Sequence, residues 1–187
     1  MTISSEHPFA TPEGERNPVR RLRGRVGATV SLWTAGAGPQ RVGLTVSSYL
    51  VADGDPARVL ALVHPDADLL EGLDETGSAV LQLLEWRHRD LAEAFAGLFP
   101  APGGPFRMAQ WEQTDWGPRL VGAGAWAGVR LDRPGTGPRA DAGGSARAVG
   151  RPVGWSVLVE GVIEHVVIGQ EEAPLVHRRG RYQRPPR

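Results

Sequence analysis

The tightest constraint on this chain is its density of chain breakers: 25 Gly and 16 Pro in 187 residues, about a fifth of the sequence. Glycine and proline interrupt helices and central strands and supply the backbone angles of turns. Long helices are therefore excluded, and the chain reads as short elements joined by turns, a pattern that leans to β structure. The length suits one domain with one sizeable core.

Read in order, residues 1 to 20 are polar, carry Pro8, Pro12 and Pro18, and predict a loose arm. The β-branched and aromatic run from Arg25 to Thr34, the turn AGAGPQ, and the run from Arg41 to Val51 predict a hairpin. Arg58 to Val63 suits a buried strand, and DADLLEGLDETG places Leu69, Leu70 and Leu73 at helical spacing before Gly77 as a C-terminal cap. Ala79 to Leu84 predicts a strand, Arg89 to Gly97 an amphipathic helix, and FPAPGGPF a loop. Leu120 to Leu131 reads as a strand whose glycines let another chain approach closely, and WSVLVEGVIEHVVIG as a long strand or a bent strand pair. The organisation is a domain over 21–183, interrupted by a flexible loop at 132–154 and followed by a basic tail at 184–187. Six or seven strands with two short helices predict a mainly β (α+β) barrel or sandwich. A small barrel of this kind rarely buries all its apolar surface alone, so a homodimer is expected.

Composition removes several chemistries. Without cysteine there are no disulfides, thiolate nucleophiles, iron–sulfur clusters or cysteine-ligated zinc. All 21 basic side chains are arginine, which excludes a Schiff-base lysine and the lysine of a Walker phosphate loop. The net charge is zero but unevenly spread: Asp53 to Glu93 holds ten acids against Arg58, Arg87 and Arg89, whereas the last ten residues carry five arginines. Such a terminus reads as a solvated end, and neither nucleic acid nor a membrane surface is expected as a partner. With no long apolar run and no signal-peptide core, a soluble cytoplasmic protein is expected.

Several residue groups carry candidate chemistry. The segment Gly122 to Gly128 has the wrong spacing for a dinucleotide loop. Ser47 and Ser48 with His64 and Asp66 or Asp68 lack a nucleophile elbow. His64-x-Asp66-x-Asp68 could hold a hard metal but reads more simply as a polar turn, and His165 in its apolar strand as a structural histidine. Six tryptophans offer flat faces for a planar cofactor, most of them expected in the core or an interface. The strongest signal is GLTVSS, Gly43 to Ser48, where small hydroxyl residues end a strand and can meet a carbonyl-rich ring or a phosphate without lysine.

The segments RVGLTVSS, PARVLALVHPDADLL, ETGSAVLQLL, HRDLAEAFAG, EQTDWGP, LVEGVIEHVVIG and PLVHRRGRY follow one another within about Val26 to Tyr182. In that order they resemble the flavin reductase family of FMN-binding split barrels, in the form common in high-GC actinobacteria. The resemblance implies a Greek-key split barrel, homodimeric, that binds FMN or FAD and takes hydride from NADH or NADPH, handing reduced flavin to a flavin-dependent monooxygenase or to oxygen. It implies that Thr45, Val46, Ser47 and Ser48 meet the flavin ring and ribityl chain. It also implies that the loop of Val63, His64, Asp66, Ala67 and Asp68 cradles the phosphate, and that Arg181 and Tyr182 pack beside the flavin. Where the family usually has Ser and Thr in that loop, this chain has Asp66 and Asp68, which repel a phosphate unless Arg87, Arg89 or an arginine of a partner subunit offsets them. Trp155 stands where many members carry Gly-Asp-His beside the nicotinamide, and Gln82 where Asn is common. Two alternatives stay open: a flavin- or small-ligand-binding barrel without efficient NAD(P)H turnover, and a deazaflavin-dependent reductase.

Overall fold

The computed structural model describes residues 18–132, 149–170 and 172–185. Most of the expected N-terminal arm, most of the expected loop at 132–154, and Arg187 lie outside the described residues. The elements are α1 (Pro18–Arg25), β1 (Ala28–Thr29), β2 (Ser31–Ala35), β3 (Val42–Val46), β4 (Tyr49–Ala52), β5 (Arg58–Val63), α2 (Asp68–Thr76), β6 (Ser78–Leu83) and α3 (Arg89–Phe95). They continue with β7 (Trp111–Thr114), β8 (Gly117–Leu120), β9 (Ala125–Leu131), β10 (Arg151–Val153), β11 (Ser156–Ile168), β12 (Val176–Arg178) and β13 (Arg181–Gln183).

The main sheet is antiparallel with strand order β3-β2-β6-β9-β11-β5-β4, and β10 adds to β11. Its two edge strands, β3 and β4, are separated in sequence only by Ser47 and Ser48. A flat sheet would hold those edges many strand widths apart, at ~4.8 Å per strand, so the link forces the sheet to curl until its edges meet. The result is mainly β, a curled half-barrel with few helices, as the sequence predicts.

Alternation along the strands fills the inside. Trp33, Ala35, Val46, Val59, Ala61, Val63, Leu81, Val129 and Val159 form the interior cluster, and Leu69, Leu70 and Leu73 of α2 plug it. Gly77 closes α2 in the left-handed region (φ 66°) and donates its N–H to Leu73 O, which is the cap the sequence indicates. The opposite side of the sheet carries a second cluster in which Val30, Leu32 and Leu84 pack with Leu91, Ala92 and Phe95 of α3, Leu120 of β8 and Leu175.

Five expectations need correction. First, residues 151–153, placed in the flexible loop at 132–154, form β10 paired with β11. Residues 18–20, read as arm, open helix α1, where Pro18 supplies the φ of a first helical position. The run 41–51 is two strands, because the chain crosses from pairing with β2 to pairing with β5 at Ser47 and Ser48. The run 120–131 contains a turn, with Gly122 at φ 85°, before β9 begins at Ala125. Finally, the β7–β8 hairpin occupies a stretch to which the sequence assigns no element, and most of the strands beyond the expected six or seven are only two to four residues long.

Candidate functional site

The seam where the sheet edges meet is the natural starting point, because it is made of Ser47 and Ser48. Their neighbours are already committed. Thr45 Oγ1 donates to Ala92 O (2.7 Å), tying β3 to α3, and the Val46 carbonyl accepts from Ser31 Oγ (2.7 Å) while its side chain enters the core. Thr45 and Val46 can therefore offer a ligand little beyond surface and shape. Ser47 and Ser48 are half-buried, and Ser48 O accepts from Leu62 N (2.8 Å), which draws the seam against the end of β5. Tyr49 follows directly, and burial pushes its phenol up to about 12, so it stays an O–H donor at any working pH. Sequence reasoning missed Tyr49, although an aromatic next to paired serines is a visible signal.

β5 ends at Val63, which is fully buried, so only its backbone can face a ligand. The chain then turns through His64, Asp66 and Ala67 into α2. Ala67 sits at the N-cap and supplies no side-chain cap; its carbonyl accepts the Leu70 N–H (2.9 Å) and its own N–H donates to His64 O (3.1 Å). Asp66 and Asp68 are exposed, and the Asp66 carboxylate lies 3.8 Å from His64 Nδ1 on the solvent side. Charge repulsion from these carboxylates is thus screened by water.

Across the same end of the barrel, Val157 pairs with Val63, which brings the tip of the β10–β11 hairpin to this loop. Gly154 turns the tip at φ 57°, and Trp155 projects from it with 95% of its surface exposed. The structure therefore gathers Ser47, Ser48, Val63, His64, Asp66, Ala67, Asp68 and Trp155 at one end of the curled sheet.

The remaining predicted residues lie elsewhere. Gln82 is fully buried; its amide N–H groups go to Thr34 Oγ1 and Pro118 O, and its Oε1 accepts from Leu120 N. It locks β8 onto β6 and β2, and the expected cofactor contact is replaced by a structural one. Arg89 pairs with Asp90 (3.0 Å) and lies over the Trp86 ring, while Arg87 pairs with Glu85 (3.0 Å) and donates to Gly122 O. Both guanidiniums are thus occupied at the start of α3 instead of offsetting Asp66 and Asp68. Tyr182 packs on the α3 cluster, and burial together with the nearby Glu93 charge pushes its phenol up to about 12. Arg181, beside it on β13, is exposed.

Three of the six tryptophans belong to the core: Trp33 lies inside the first cluster, and Trp86 and Trp111 pack on the second. Trp33 alone among the six is fully buried. Trp116, on the turn of the unforeseen β7–β8 hairpin, stacks on His165 (centroids 5.3 Å, planes 18° apart), and Trp126 completes a triangle of rings, 4.8 Å from the imidazole and 6.3 Å from Trp116. The bulge between Ile163 and His165 aims the exposed imidazole at both indoles.

A family model described as "Flavin reductase like domain" matches residues 23–186. A curated NADH-dependent FMN reductase of Streptomyces nodosus subsp. asukaensis is 32% identical over 84 residues, and the match spans 45% of this chain and 45% of that relative. Among solved structures, an NADH:FAD oxidoreductase of Streptomyces globisporus superposes with a TM-score of 0.74 at 20% identity, covering 95% of this chain and 96% of its own. The flavin reductase of a styrene monooxygenase from Pseudomonas putida superposes with a TM-score of 0.72 at 17% identity, covering 91% and 98%. At these identities the superpositions establish the shared fold.

Proposed function

This chain belongs to the flavin reductase-like domain family, and from that premise we propose that it binds FMN, with FAD as the alternate flavin, at the seam between β3 and β4. NADH or NADPH donates hydride; NADH is the donor named for the curated relative. The observation that carries this reading is the juxtaposition at one barrel end of half-buried Ser47 and Ser48, the uncapped first turn of α2, and the exposed Trp155.

When bound, the flavin supplies the hydride chemistry, accepting two electrons from the nicotinamide. The chain's part is to bind and orient. Ser47 and Ser48 offer hydroxyls to a polar ring edge or ribityl chain, the α2 N–H groups hold the phosphate, and Trp155 gives a face on which a planar ring can stack. Trp155 also favours a second reading, binding without efficient turnover, since an indole cannot perform the proton and hydrogen-bond duties of an imidazole.

A homodimer is part of the proposal. Leu50, Val51, Val166 and Ile168 are exposed at 72%, 59%, 55% and 81%. Val51, Val166 and Ile168 line an apolar cleft of about 320 Å³ shared by β4, β6, β9 and β11. Apolar surface of this kind is characteristic of an oligomer interface. A flavin-dependent monooxygenase as the consumer of reduced flavin is supported by the styrene monooxygenase relative.

Flavin-fluorescence titration tests the placement. FMN should bind the wild-type protein, and Ser47→Trp, which fills the seam, should weaken binding by about tenfold or more while the oligomeric state persists. Equal affinity in the variant would show that the flavin sits elsewhere.

A further inference from the structure

The N-terminal helix and the C-terminal hairpin are far apart in sequence but joined in space. Arg179 N donates to Gly24 O (2.6 Å), Arg178 Nε donates to Arg25 O (3.3 Å), and β12 pairs with β1 just after α1. The union assembles one charged surface. Arg21, Arg23 and Arg25 of α1 are exposed, as are Arg178, Arg179, Arg181 and Arg184 on and beside the hairpin. The sequence holds no acidic residue from 18 to 29 or from 173 to 185. In a chain of zero net charge this is a strongly polarised patch, and it is a folded surface where the sequence alone predicts a solvated tail. His177, half-buried within it, is held below its ordinary pKa by burial and then by the Arg23 charge, as expected in a positive field.

The patch is not purely ionic. Val19 and Leu22, three residues apart on one face of α1, and Val26 just after the helix are exposed at 71%, 66% and 64%. We propose that α1 and the β12–β13 hairpin form a docking surface for an acidic protein. Arginine with interspersed aliphatic side chains suits a protein interface, where arginine is enriched. A membrane helix would carry aromatic anchors, which α1 lacks. The surface adjoins α3 through Tyr182, and α3 holds Thr45 beside the seam, so an acidic partner docked here would stand next to the proposed flavin site.

The test uses the full-length protein and fluorescein-labelled poly-L-glutamate, a polypeptide anion without phosphate, with a mixed-sequence DNA duplex and phosphatidylglycerol vesicles in parallel. Poly-L-glutamate should bind, bind more weakly as salt rises, and lose about tenfold or more in affinity to the double variant Arg21→Glu, Arg184→Glu. The same variant should keep the wild-type unfolding midpoint and wild-type NADH oxidation with free flavin, which separates this surface from the proposed reductase site. Absence of poly-L-glutamate binding, or binding unchanged in the variant, would overturn the proposal. Tighter binding of DNA or vesicles than of poly-L-glutamate would overturn it as well, by showing that the patch reads phosphate.

Discussion

His88 accepts the Glu85 N–H at Nδ1 (3.2 Å), a role available only to the neutral ring. Burial, aided by the Arg87 charge, lowers its pKa from 6.5 to about 4. Because the folded value lies below the unfolded one, the stabilisation is complete above pH 6.5 and is lost as pH falls through about 4. After allowance for solvent screening of a half-buried ring the loss is about 1–2 kcal/mol. Urea denaturation between pH 7.5 and pH 4 should show that decline, and His88→Gln should flatten it. An equal slope in the variant would assign the loss to other groups. Gln82 is the second residue whose duty is internal. Gln82→Leu leaves the buried Leu120 N–H without its side-chain acceptor, while Thr34 Oγ1 and Pro118 O keep their bond to each other, and should cost about 1–3 kcal/mol in urea denaturation. Unchanged stability would mean that water replaces the amide. Nothing local distinguishes Gln82 from a ligand contact: a polar residue in the apolar strand SAVLQL reads equally as site or brace, and only the β7–β8 hairpin packed over it decides. The strand end at Ser47 and Ser48 is legible because two adjacent hydroxyl residues close a β-branched run.

Among elements, those written in local periodicity were legible: the β2–β3 hairpin, α2 with its Gly77 cap, β6 and α3. Elements held by distant partners were not. α1 rests on backbone bonds to the C-terminal hairpin, and β7–β8 rests on β2, β6 and β9, so neither carries a strong signal of its own. The β7–β8 hairpin is seated by the Trp116 indole lying on Gly128, where a Cβ would overlap the ring. Gly128→Val should therefore dislodge Trp116 from His165, destabilise the fold by about 1–3 kcal/mol, and alter near-ultraviolet circular dichroism in the tryptophan region. An unaltered spectrum would show that the hairpin can shift as a unit and keep its stacking.

At the scale of the whole molecule, function follows from closure of the sheet. Seven strands curl because β3 and β4 share a two-residue link, and the curl sets that link against the α2 N-terminus and the β10–β11 tip. Fold class was legible from turn density and strand spacing, whereas the closure was not, since the strand order joins residues more than a hundred positions apart. The exposed apolar rim at Leu50, Val51, Val166 and Ile168 should be covered in solution, and light scattering should give twice the 20.1 kDa chain mass; a monomer at micromolar concentration would contradict the homodimer. The most direct measurement of the central claim is anaerobic mixing of NADH with FMN in the presence of catalytic amounts of the protein, followed by flavin absorbance. The account predicts that the flavin bleaches at a rate proportional to protein concentration, and that Ser47→Trp slows it by about tenfold or more. Flavin that binds the protein yet stays oxidised with NADH and with NADPH would contradict it.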